Sequence, residues 1–163
     1  MVIKEKMVKA INKQINAELF SSYLYLSMAA HFASINWLGF AHWMKVQSKE
    51  EYGHAMKFFE YVLERGGKVT LAEIAAPKLE WKSPLAVFEE IYAHELKVTA
   101  LINDLVKLAK EDNDYATENL LQWYINEQVE EEASAVAIME KLKLVNNAAS
   151  GLFIIDQELA GRK

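Results

Sequence analysis

Six polar residues stand where aliphatic side chains belong in this sequence: Glu18, Glu51, His54, Glu95, Gln128 and Glu131. Spacings of three and four residues trace one apolar stripe along each of four long segments. They run through Ile11, Ile15, Glu18, Ser22 and Tyr25; Phe40, Met44, Gln47, Glu51, His54 and Phe58; Ile91, Glu95, Val98 and Ile102; and Leu121, Tyr124, Gln128, Glu131 and Ala135. In each stripe the interruption falls at or near the middle. A lone buried carboxylate is costly, and these stripes offer four carboxylates with no lysine or arginine to offset them. A divalent cation, or a pair of them, is the natural compensation. Carboxylate oxygens with a single imidazole suit iron or manganese better than a structural zinc site or a carbonyl-rich calcium loop.

The spacing repeats. Glu18 to Glu51 covers 33 residues and so does Glu95 to Gln128; a shift of 77 places Glu18 on Glu95, Glu51 on Gln128 and His54 on Glu131. Each half of the chain therefore presents one ligand and then a pair at i and i+3 on one helix face, which implies two adjacent metals related by a pseudo-two-fold. Taken singly, each residue has an ordinary explanation, a solvated helical glutamate or a hydrogen-bonded core histidine. The shared level and the repeat single out a metal site. Glu50, Glu127 and Glu130 flank these positions and read either as a relay for metal or as a solvated acidic face. Tyr25, two turns after Glu18, is a hydrogen-bond partner or electron donor to the site if it is more than a core aromatic, and Trp123 beside the fourth stripe is a weaker candidate of the same kind. His31, His42 and His94 have no partner spacing and are given no metal role.

The elements that must position these residues are helices. With 2 prolines and 6 glycines in 163 residues, the breaks in periodicity are few. The first helix is expected from Lys4 to Ala33, and Asn36 is expected to cap a second that ends at Gly66-Gly67. A long connection follows to Lys82, and Ser83-Pro84 opens the third helix. Asp112-Asn113-Asp114 turns into a fourth that runs to about Val145. Asn146-Asn147 and Ser150-Gly151 end it, and the apolar Leu152 to Leu159 forms a short fifth helix. The expectation is an all-α fold in a single domain, residues 1–163: an antiparallel four-helix bundle over about 4–145 with one long crossover, and a fifth helix over about 151–160.

Composition narrows the function classes. The 52% hydrophobic and 25% charged residues are those of a globular chain, and the absence of cysteine excludes thiolate metal sites and disulfides. A net charge of -5 with no basic cluster argues against nucleic acid as a partner. No run reaches membrane-spanning length and Met1 to Lys9 has no signal-peptide apolar core, so no membrane partner and a cytoplasmic location are expected.

Ser21 to Met28 (SSYLYLSM), Gly39 to Met44 (GFAHWM) and Glu127 to Glu132 (EQVEEE) resemble the bacterial non-haem ferritins, and the resemblance runs nearly end to end. It implies an iron-storage protein with ferroxidase activity. It implies that Glu18, Glu51 and His54 hold one iron, that Glu51, Glu95 and Glu131 hold a second with Glu51 bridging and Gln128 adjacent, and that Glu50, Glu127 and Glu130 match a third iron site nearby. It also implies a hollow homo-oligomeric shell of 24 subunits. Bacterioferritins are similar more distantly; they carry a second Glu-x-x-His pair and a haem-ligating Met where this chain has Gln128, Glu131 and Tyr52, so no haem is expected. Rubrerythrins add a cysteine-bound iron domain that a cysteine-free chain cannot build. Mostly anionic ligands favour Fe(III) over Fe(II), and paired ions can both deliver electrons to one O2. The competing readings are a non-storage di-iron peroxidase or oxidase on the same bundle, and a structural bundle whose carboxylate layer sets helix register.

Overall fold

The computed structural model describes residues 2–163, and its described residues form five helices and no strand: α1 (Glu5–Ser34), α2 (Leu38–Glu64), α3 (Pro84–Glu111), α4 (Tyr115–Val145) and α5 (Ala149–Leu159). At 30 residues α1 is roughly 45 Å long, a bundle helix rather than a globular-core one. Local chemistry sets several of the ends. The Ser83 hydroxyl accepts the Ala86 N–H at 3.1 Å with Pro84 in the first turn, and the Asp114 carboxylate accepts the Thr117 N–H at 3.1 Å. Gly66 takes the left-handed conformation at φ 72°, and the Gly67 N–H closes back onto the Val62 carbonyl at 2.8 Å to terminate α2.

Two expectations are corrected. Asn36 does not cap α2. It sits at φ 65° and donates its N–H to the Ala33 carbonyl, so it ends α1 instead. The cap comes from α5, where buried Asp156 accepts the Phe40 N–H at 2.9 Å, next to the positive end of the α2 dipole. Gly39 permits this approach, since a Cβ there would meet the Asp156 carbonyl oxygen at 1.7 Å. Ser150-Gly151 is not a break either. Asn146 and Asn147, at φ 45° and 60°, complete the reversal, and Ser150 and Gly151 lie in the first turn of α5.

α1 packs on α2 and on α3, and α3 packs on α4, whereas no described Cα of α2 comes within 8 Å of one in α4. The α2–α4 seam is closed by side chains rather than by close backbone approach, with Phe58 stacked on Tyr124 at 3.9 Å and Tyr61 bonded to Thr117 at 2.8 Å, and α5 spans the seam at one end by touching both helices. The crossover 66–82 lies along α1, strapped by Asn12 to the Lys68 carbonyl (3.0 Å), Asn16 to the Glu73 carbonyl (3.0 Å) and Ser27 to the Lys78 carbonyl (2.6 Å). The apolar core is in two parts. One gathers Met28, Phe32, Phe40, Met44, Phe88 and Leu142 with Leu152 and Ile155 of α5, and the other Met7, Ile11, Phe58, Ile102, Leu105 and Leu121. Between them lies the polar layer. No described helix is long and apolar enough to cross a membrane.

Candidate metal centre

Each of the four bundle helices delivers its polar interruption to that layer. Glu18, Glu51 and Glu95 are each 1% exposed, and His54 and Gln128 are buried beside them. The Glu131 side chain keeps 10% exposure, more than Glu51 or His54 beside it. Ligand atoms of Glu18, Glu51 and His54 lie within 4.8 Å of one another, and so do those of Glu51, Glu95 and Glu131. Glu51 belongs to both groups. His54 Nδ1 stands 3.4 Å from Glu51 and 3.9 Å from Glu131, while its Nε2 faces Glu127 at 3.7 Å.

Amides hold the carboxylates in place. Gln14 donates to Glu18 at 2.7 Å, and Gln47 donates to Glu51 at 2.7 Å and to Glu131 at 3.0 Å. Gln128 donates to Glu95 at 3.1 Å and to the Thr99 hydroxyl at 3.2 Å. The Tyr25 phenol donates to Glu95 at 2.5 Å, and burial together with the Glu95 charge keeps that phenol well above its ordinary pKa, so it stays a donor. Glu18 Oε2 and Glu131 Oε2 are buried without a hydrogen-bond partner. Among the described residues no lysine or arginine pairs with Glu18, Glu51, Glu95 or Glu131.

The carboxyls respond to this crowding. Burial lifts Glu18 to about 7 against the opposing pull of the Gln14 amide and His54. Burial, then Glu51 and Glu95, push Glu131 up to about 10, and burial, then Glu95 and Glu18, hold Glu51 well above the usual carboxylate range. A metal-free layer therefore keeps protons that an entering dication must displace. Orphaned carboxylate oxygens, two three-residue groups sharing one carboxylate, and donors of oxygen with one imidazole fit a pair of hard or borderline cations.

The ferritin-like domain of the ferritin family matches residues 8–145. The chain belongs to the ferritin family. A bacterial non-heme ferritin of Bacteroides fragilis is 45% identical over 161 residues, covering 99% of this chain and all of its own, and one from Escherichia coli is 36% identical over 159 residues, covering 98% and 96%. The crystal structure of an open pore ferritin from the hyperthermophilic archaeon Archaeoglobus fulgidus superposes with a TM-score of 0.97 at 55% identity, covering 99% of this chain and 98% of its own.

Glu50, Glu127 and Glu130 line a pocket of about 140 Å³ between α2 and α4, and Tyr25, Gln47 and Glu131 line its inner wall. Among the described residues, the three flanking acids do not form a close ligand group of the kind the inner residues make. Trp123 stands edge-on to His54 with ring centroids 5.3 Å apart. His94, by contrast, bonds to Ser21 at 2.8 Å and His42 to the Arg162 carbonyl at 2.7 Å, away from the layer. Gln14, Thr99 and Arg162 went unremarked in the sequence. Gln14 had a signal, since Gln14-Glu18 repeats at i,i+4 as Gln47-Glu51, again 33 residues on. Arg162 had none.

Proposed function

We propose that this ferritin oxidises Fe(II) at the mid-bundle layer, with Glu18, Glu51 and His54 holding one ion and Glu51, Glu95 and Glu131 holding the other. Membership of the ferritin family makes the chain an iron-storage protein with ferroxidase activity. The residue assignment rests above all on the Glu51 carboxylate, shared by two groups of facing ligands. Iron is substrate here. Both ions bind to an anionic donor set that favours the ferric state, and each gives one electron to a common O2. Gln14 and Gln47 orient the carboxylates, Tyr25 positions Glu95 through its phenolic O–H, and Gln128 holds Glu95 from the other side. Glu50, Glu127 and Glu130 form a third iron site in the seam pocket, through which the oxidised product leaves.

The family implies iron binding and an oligomeric shell; 24 copies and a cytoplasmic location are our proposal for this chain. Phe153 and Ile154 on α5 are 58% and 67% exposed, and Leu79 of the crossover 72%, which supports subunit contacts over these surfaces. The deciding experiment is the initial rate of aerobic Fe(II) oxidation at about two ions per subunit, wild type against Glu95→Ala, which removes a ligand from one group and leaves the other intact. The variant is expected to fall most of the way to the buffer rate. Equal rates would mean the layer is not the oxidation centre.

A further inference from the structure

The seam pocket already contains a cation. Arg162, three residues beyond the end of α5, places its guanidinium over the Trp43 ring at 4.3 Å and donates through Nη2 to Glu50 at 2.6 Å and to the Gln47 carbonyl oxygen at 2.8 Å. Its Nη1 donates to the Trp43 carbonyl at 3.3 Å, and His42 binds its own carbonyl at 2.7 Å, so both main chain and side chain are anchored on α2. Its side chain is 22% exposed, against 46% for Glu50.

Two consequences follow from the chemistry of this contact. A guanidinium has donors only, so the oxygen of the Gln47 amide must face Arg162. The amide nitrogen then has to face inward, where it donates to Glu51 and Glu131. Glu50, one of the four acids of the pocket, is also neutralised by a charge that belongs to the chain itself.

We propose that Arg162 is a tethered cation at the mouth of the metal centre, which competes with iron for Glu50 and fixes the amide of Gln47 toward the inner carboxylates. It acts as a positioning residue and a plug. An ion that draws Glu50 into the third site competes with the guanidinium for it, so the pocket stays weak for resting metal and available for ions in transit. This inference rests on the di-metal reading of the inner layer.

The test uses Zn(II), which binds without redox chemistry, titrated calorimetrically into the metal-free assembled protein as wild type, Arg162→Gln and Arg162→Lys. Arg162→Gln is an uncharged side chain that can still hydrogen-bond Gln47, and Arg162→Lys keeps the charge. Size-exclusion elution and helix content verify that both variants assemble. All three proteins are expected to take up two tight ions per subunit. The third ion should bind roughly fivefold tighter to Arg162→Gln, the most that one partly exposed ion pair supplies, and within about twofold of wild type to Arg162→Lys. Two tight ions in every protein with no tightening in Arg162→Gln overturns the plug and leaves the inner centre standing. Failure of the wild type itself to bind two ions overturns the inner centre and the plug with it.

Discussion

Replacing Glu18 by glutamine should stabilise the metal-free protein while weakening one of the two proposed ligand groups, and the gain should depend on pH in a calculable way. The unfolded chain releases the Glu18 proton near 4.5 and the folded chain near 7, because burial is the dominant influence on this carboxyl. Between those values the folded state binds more protons than the unfolded one, so Glu18 contributes full stability below 4.5 and loses it as pH rises through 7. At about 1.4 kcal/mol per pH unit, the ionised group costs about 3 kcal/mol at pH 8 and under about 1 kcal/mol at pH 5. Glutamine mimics the protonated form and keeps an oxygen to accept the Gln14 amide now 2.7 Å away. Urea unfolding of metal-free protein at both pH values measures the difference. Glu18→Gln should exceed wild type by about 3 kcal/mol at pH 8 and by little at pH 5, whereas saturating Zn(II) should stabilise the wild type more than the variant, which keeps only the Glu51, Glu95 and Glu131 group whole. A gain of the same size at both pH values, or a loss at pH 8, would refute the idea that an uncompensated carboxylate is buried at this position.

Other substitutions probe separate links. Tyr25→Phe removes the 2.5 Å hydrogen bond to a buried carboxylate and should cost about 2 kcal/mol in urea unfolding of the metal-free protein; a loss below about 0.5 kcal/mol would show that Glu95 finds another partner. Gly39→Ala drives a methyl into the Asp156 carbonyl and should detach α5 from α2, seen as faster amide exchange over 149–159 with the four bundle helices unchanged. Unaltered exchange there would mean the Asp156 contact is not what docks α5.

Most of the fold and the buried polar layer of the candidate site could be read from the sequence because both depend on helical phase. Glu18, Glu51, His54 and Glu95 were recognisable as misplaced residues in apolar stripes, and Ser83, Asp114 and Gly66 signal helix ends through contacts two to four residues away. Asn36 misled because asparagine favours both the start of a helix and the left-handed position after one, and only the packed structure chooses. Asp156 and Arg162 were invisible for a different reason. Their partners Phe40 and Gln47 lie 116 and 115 residues away, and no periodicity links a tail to the helix it caps. Gln14 and Gln47 were legible in principle, since a glutamine one turn before Glu18 and again before Glu51 is a local pattern.

The two-part core puts a polar layer at the waist of the subunit. Above and below, interlocked aliphatic and aromatic side chains resist deformation, but at mid-height the iron-free helices meet through amides and crowded carboxyls. Across the α2–α4 seam the join is made by side chains, Tyr124 to the His54 carbonyl at 2.8 Å and Gln47 to Glu131 at 3.0 Å. Iron held as proposed would tie α1, α2, α3 and α4 together at that height, so the cargo, while present, would also be a strut of the subunit that carries it.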